Sequence, residues 1–176
     1  AFHCYGGDVK NQTVLHQKYP DKHIMMTECS GGDWAPDWND TFKWDMNNLF
    51  IGGVNNWSEG AIKWNIALDQ NKGPQNGGCD TCRGLITINT TNNNITYNED
   101  YYAVGVMSKY FPAGSVRVNV TSTNSNLVPA AFVYANVTRV LLVFNQADST
   151  QQFNITWGKI SLKVSLPALT VGHYIW

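Results

Sequence analysis

The hydrophobic pattern of this chain changes character once, near residue 114, and that change limits the architectures open to it. Upstream, short apolar runs alternate with stretches of helical spacing. "AFHCYGG" reads as a strand end followed by a turn, not as a signal peptide; "DVKNQTVLHQKY" reads as a helix with Asp8 as N-cap and Pro20 as its stop; "HIMMTE" reads as a second strand. "TFKWDMNNLFIGGVNNW" carries Phe42, Met46, Leu49, Phe50 and Val54 near helical spacing. In "GAIKWNIALD", Ile62, Trp64, Ile66 and Leu68 alternate with Ala61, Lys63, Asn65 and Ala67, the period of a strand. A hairpin ("GLITIN", "NITYN") and a helix ("EDYYAVGVMSKYF") complete this half. Such alternation calls for parallel strands covered by helices, in a barrel or an open doubly wound sheet.

Downstream, "SVRVNVTS", "PAAFVYA", "TRVLLVFNQ", "QQFNITW", "KISLKVSL" and "TVGHYIW" are short β-branched and aromatic runs between turn residues, the pattern of an antiparallel sandwich. The expected organisation is therefore α/β over 1–113 and all-β over 114–176. A closed eight-unit barrel takes about 250 residues, so the first segment can only be the tail of one. The chain also opens inside a strand, with neither a cap nor an initiator methionine, which predicts the C-terminal part of a longer enzyme.

Composition excludes several function classes. Charged residues make up 14% of the 176 and the net charge is −1, so nothing favours nucleic acid, an anionic membrane surface or a polyanionic substrate. No apolar run reaches the roughly 18 residues of a membrane span. Polarity comes instead from Asn, Ser and Thr, with eight Asn-x-Ser/Thr sequons at Asn11, Asn39, Asn56, Asn89, Asn94, Asn119, Asn136 and Asn154. An Asn- and Thr-rich chain makes some sequons by accident, but this density predicts a secreted, extracellular or cell-wall glycoprotein.

The pair Cys79 and Cys82 in "GGCDTCRG" could be half a zinc site or a redox pair, but no second pair completes a metal shell, so a local disulfide is expected. Whether Cys4 and Cys29 form another bridge or stay free is left open.

The chain has only three glutamates, and Glu28 closes the run "HIMMTE" just before the flexible "CSGG". Residues at the C-terminal ends of barrel strands line the active-site mouth, which sets a catalytic role for Glu28 against the plainer one of a capping or salt-bridging residue. His3 and Tyr5 close the first strand on one face, Trp34 and Trp38 follow Glu28 in its loop, and Trp64 with Asn65 lies in the third strand. Sugars present C–H faces to aromatic rings and hydroxyls to amide, phenol and imidazole groups, so this grouping around one carboxylate suits a carbohydrate pocket.

"FHCYGG", "HIMMTECSGG", "NWSEGAIKWNIALDQNKGP", "GGCDTCRGLITI" and "YYAVGVMSKYFPAGSVRV" together resemble the last third of glycoside hydrolase family 30, which includes glucosylceramidases and secreted fungal β-1,6-glucanases. The resemblance implies the C-terminal part of a (β/α)8 TIM barrel followed by a β-sandwich. It also implies a retaining mechanism with Glu28 at the nucleophile position and His3, Tyr5 and Trp64 in the sugar subsite. That chemistry needs a second carboxyl group about 5 Å away. Glu59 precedes a strand at the opposite face, Glu99 suits a helix cap, and Asp33, Asp37 and Asp40 lie in the loop after Glu28. The family's acid/base Glu follows an Asn on an earlier strand, which this chain lacks, so the chain alone is expected to be inactive and to depend on an N-terminal part of the same enzyme. The implied substrate is a β-linked glucan or glucosyl lipid, and no metal or organic cofactor is implied. The competing expectation is a non-catalytic, glycosylated carbohydrate-binding or cell-wall protein.

Overall fold

The computed structural model describes residues 1–135 and 137–176, so the sequon at Asn136 lies outside the described residues. The chain divides into two compact units, Ala1–Lys109 and Tyr110–Trp176.

In the first unit the order is β1 (Phe2–His3), α1 (Asn11–Lys18), β2 (Ile24–Glu28), β3 (Gly31–Gly32), α2 (Trp38–Asp45), a π-helical turn (Met46–Phe50), α3 (Ile51–Asn55), β4 (Ser58–Ala61), β5 (Ala67–Asp69), β6 (Cys82–Arg83), β7 (Ile86–Ile88), β8 (Ile95–Tyr97) and α4 (Glu99–Ser108). Strands β1, β2 and β4 run parallel, with β2 in the centre. A second small sheet joins β5 parallel to β7 and β7 antiparallel to β8, while β3 pairs with β6.

Several elements depart from the sequence-based expectation. The first strand spans only Phe2–His3; the next residue, Cys4, still donates to Glu28 O at 3.2 Å and is bonded to Cys29, just past β2. Helix α1 starts at Asn11; Asp8 instead organises the preceding turn, its carboxylate accepting from Lys10 N at 2.8 Å and its carbonyl from Asn11 N at 2.9 Å. The alternating run 61–68 is not one strand. Beyond Ala61 it keeps only Ile62 N to Met26 O and Trp64 N to Cys29 O, both 2.9 Å. Asn65 then turns the chain into β5, its side-chain oxygen accepting from Ala67 N at 3.1 Å. Alternation predicts a two-faced strand, whereas Lys63 points inward to the buried carboxylates of Asp45 and Asp100.

The run from Trp38 to Asn55 is helical throughout, N-capped by Asp37, whose carboxylate accepts from Asp40 N at 2.8 Å. It buries Phe42, Met46, Leu49, Phe50 and Ile51, and Ile24 and Met26 of β2 are buried as well. The π turn brings the backbone at Gly52 so close to the Asn47 carbonyl that a β-carbon would collide with it, which reserves the position for glycine.

The second unit contains β9 (Val116–Val118), β10 (Leu127–Tyr134), β11 (Thr138–Asn145), β12 (Gln151–Trp157), β13 (Ile160–Leu166) and β14 (Val171–Ile175). All pairings are antiparallel, in a four-stranded sheet ordered β14-β11-β10-β9 and a two-stranded sheet β12-β13. Leu127, Ala131, Leu141, Val143 and Leu166 form the core between them, with Phe153, Ile155 and Tyr174 packed against it. The continuous run "VLLVF" marks β11 as a central strand, with Val140, Leu142 and Phe144 buried on its other face. Asn145 ends that strand fully buried, its amide nitrogen donating to the carbonyls of Ser149, Leu166 and Pro167 and its oxygen accepting from Ala147 N.

Candidate active site

Glu28 is the last residue of β2, and its Cα partner across the parallel ladder is His3. The two side chains meet, His3 Nδ1 lying 3.0 Å from Glu28 Oε2, and the carboxylate keeps a third of its surface exposed (33%). The neighbouring Cys4–Cys29 disulfide ties the ends of β1 and β2 together, and Cys4 N donates to Glu28 O at 3.2 Å. The backbone carrying the carboxylate is thus fixed from both strands.

Tyr5 lies just past β1, edge-on to His3 with ring centroids 5.8 Å apart. Partial burial, followed by the nearby Glu28 charge, pushes its hydroxyl above the ordinary value of 10.0. Trp64 is brought alongside by a parallel bridge to Ser30. Trp34 folds back over Gly32. Asn65 is placed next to Trp64, with its side chain engaged in the turn to β5.

A recess of about 530 Å³ opens beside this group, lined among others by Tyr5, Ser30, Trp34, Trp44, Asp45 and Lys63. Glu28, His3, Trp64 and Asn65 are outside its lining. The Glu28 carboxylate is therefore a neighbour of this recess through Cys4, Tyr5 and Ser30, which line it, and is not itself part of the lining.

Lys63 links the recess to a buried ionic cluster that local sequence signals miss. Its ammonium, 3% exposed, contacts Asp45 Oδ2 of α2 at 2.7 Å and Asp100 Oδ1 of α4 at 2.6 Å. Burial would lower the Lys63 ammonium, but Asp45 and Asp100 outweigh it and raise it above its ordinary value. Arg83 Nε of β6 meets Asp100 Oδ2 at 2.7 Å. Glu99, expected to be a helix cap, is instead 2% exposed, and neither of its carboxyl oxygens has a hydrogen-bond partner among the described residues. Burial, with the charges of Asp45 and Asp100 added, pushes it up to about 8. Burial also pushes Asp45 up to about 6, against the pull of Lys63. The cluster thus sets the cations Lys63 and Arg83 against three carboxyl groups, with Arg83 Nη2 also 3.9 Å from Glu99 Oε2.

Gly31 of β3 lies against this cluster, where a β-carbon would come within 2.5 Å of the Asp100 carboxylate. The remaining glutamate, Glu59, belongs to β4 itself and meets His23 Nδ1 at 2.6 Å, at the opposite end of β2 from Glu28. Cys79 and Cys82 are bonded to each other. Of the described sequon asparagines, Asn11, Asn39, Asn94, Asn119 and Asn154 are exposed, and Asn89 is half-buried. Asn56 is also half-buried, its side chain accepting from Thr13 Oγ1 at 2.9 Å and donating to Gly52 O at 2.8 Å.

Residues 114–172 match the family model described as the glycosyl hydrolase family 30 β-sandwich domain. An endo-1,6-β-D-glucanase of Trichoderma harzianum is 35% identical over 129 residues, covering 70% of this chain and 24% of that protein. An endo-1,6-β-D-glucanase of Aspergillus fumigatus is 35% identical over 127 residues, covering 68% of this chain and 24% of its own length. The solved structure of an endo-β1,6-glucanase superposes with a TM-score of 0.92 at 31% identity, over 99% of this chain and 40% of that one. The chain thus spans about a quarter of the length of these curated relatives.

Proposed function

The chain belongs, by its C-terminal portion, to glycoside hydrolase family 30, and on that premise we propose that it is the C-terminal part of a secreted, glycosylated, retaining β-glycosidase with Glu28 as its nucleophile. In this reading residues 1–113 are the last strand–helix units of a (β/α)8 barrel and 114–176 its attached sandwich. The observation that carries the assignment is the position of Glu28. It ends a parallel strand, is partly exposed, and has His3 at 3.0 Å on the adjoining strand end.

A retaining enzyme uses one carboxylate to attack the anomeric carbon and a second carboxyl group, about 5 Å away, to protonate the leaving oxygen and later activate water. His3 orients Glu28 through its contact with Oε2, leaving Oε1 to attack. Tyr5 and Trp64 flank the sugar ring. The other two glutamates are committed elsewhere, Glu59 to His23 and Glu99 to the buried cluster. The acid/base therefore comes from the part of the enzyme that precedes this chain. The relatives named as endo-1,6-β-glucanases favour a β-1,6-glucan over a glucosyl lipid as substrate.

The test is hydrolysis of β-1,6-glucan by the longer enzyme, with Glu28→Gln beside it and the 176-residue chain as a control. Turnover should fall by several orders of magnitude in the variant and be absent from the short chain. A Glu28→Gln enzyme with near-normal turnover refutes the assignment.

A further inference from the structure

The second unit holds a recess of its own, about 200 Å³, whose lining includes Asn119, Thr121, Arg139, Thr156, Trp157 and Trp176. The two indoles meet edge to face, with centroids 6.2 Å apart and planes at 69°, and each keeps 42% of its surface exposed. The Arg139 guanidinium lies over the Trp157 ring, 5.1 Å from its centroid, and its Nη1 donates to Val137 O at 3.2 Å. That cation–π contact holds the ring, so presenting it to a ligand costs little conformational entropy. Among the described residues, nothing hydrogen-bonds the side chains of Asn119, Thr121 and Thr156 or the indole N–H groups of Trp157 and Trp176.

These features select a ligand by chemistry. Two exposed indoles side by side at a recess offer apolar ring faces, with polar N–H edges, that a ligand can cover. The only charge in the lining, Arg139, lies against an indole face and donates from Nη1 to a carbonyl, and its buried Nε, which has no hydrogen-bond partner among the described residues, is a donor that a neutral hydroxyl can use. What remains is flat aromatic surface, an aliphatic floor, and a rim of hydroxyl, amide and indole N–H groups. Such a set matches an uncharged, hydroxyl-rich ring with an apolar face.

We propose that this cleft is a carbohydrate-binding site separate from Glu28, which takes a pyranose unit of a β-glucan chain against Trp157 and Trp176. The choice of glucan as the source rests on the functional reading above; the preference for a neutral sugar rests on the cleft. A glucan strand held here keeps substrate near the enzyme between cleavage events, by raising its effective concentration.

Affinity electrophoresis of the 176-residue chain, made with and without glycans, in gels containing β-1,6-glucan, β-1,3-glucan or no polysaccharide tests this. Both tryptophans are surface residues, and near-ultraviolet circular dichroism of each variant checks that the fold is retained. The chain should be retarded by β-1,6-glucan, and Trp157→Ala and Trp176→Ala should each weaken that retardation roughly fivefold or more. Arg139→Gln should weaken it less, because it loosens the ring and removes one donor but leaves both indoles. Trp157-dependent retardation by β-1,3-glucan alone supports the cleft while removing the β-1,6 preference, and it leaves the Glu28 assay untouched, so the two readings fail separately. Retardation unchanged in both tryptophan variants, or absent from every gel, overturns the proposal. So does retardation of glycosylated Asn119→Gln but not of the glycosylated wild-type chain, which would make the cleft the seat of the protein's own glycan.

Discussion

Replacing Glu99 by Gln should make the protein more stable, and increasingly so as the pH rises. Glu99 is 2% exposed, its oxygens lack hydrogen-bond partners among the described residues, and Asp45 and Asp100 stand close by. Its folded pKa of about 8 lies above the ordinary 4.5. Between those values the folded chain holds a proton that the unfolded chain has released, so stability falls as pH rises. The full stability is present below about 4.5, and the loss is complete once the pH passes about 8. With about 1.36 kcal/mol for each pH unit of displacement, the loss is roughly 3 kcal/mol at pH 7 and approaches about 5 kcal/mol in the alkaline range. Glutamine has the same shape and no charge, and removes this dependence. Urea unfolding of both proteins from pH 4.5 to 9 measures the difference directly. Asp45, itself raised to about 6, titrates in both proteins and to first order cancels. The curves should meet near pH 4.5 and diverge by roughly 3 kcal/mol at pH 7. A difference that does not change with pH, or a variant that is the less stable one at pH 8, refutes a protonated Glu99 in the folded state.

Two further changes test the same kind of reasoning. Lys63→Met leaves Asp45 and Asp100 without their shared cation and should cost about 3 to 5 kcal/mol in urea unfolding, part of it recovered when Asp45→Asn is added. In the second unit, Asn145→Ala removes the bonds to Ser149, Leu166, Pro167 and Ala147 and should cost about 3 kcal/mol, read as a fall in thermal midpoint with the far-ultraviolet spectrum retained.

The strands of the second unit are legible in the sequence because each run is bounded by turn residues and has the composition of a pleated, half-buried surface. "QQFNITW" alternates Phe153 and Ile155 inward with Asn154 and Thr156 outward, and becomes β12 without adjustment. The strand-end position of Glu28 is legible for a similar local reason, an apolar run followed by glycines. The cluster around Lys63 is not. Its members lie in α2, the segment after β4, β6 and α4, and each has a plausible local reading of its own. Lys63 fits the outward side of an alternating run, and Glu99 fits a helix's first turn. Only the tertiary fold brings them together, and no propensity or periodicity encodes a charge partner 37 residues away, as Lys63 is to Asp100. The run 61–68 shows how tertiary demand overrides period: the inward pull on Lys63 and the Asn65 turn break a pattern that composition alone would extend.

The π turn at Met46–Phe50 has a consequence for how this helix tolerates change in length. A π turn accommodates one residue more than the α-helical ladder needs while leaving the segments on either side facing as they did. Upstream of it Asp45 must point at Lys63, and downstream Ile51 must point into the core. Deleting one residue within the turn would let it relax into ordinary α-helix with both orientations kept. The same deletion a turn earlier, between Thr41 and Asp45, would turn the segment before it by about 100° relative to Asp45 and the core face beyond. The helix thus carries a single site where the length of the chain and the register of its faces are uncoupled.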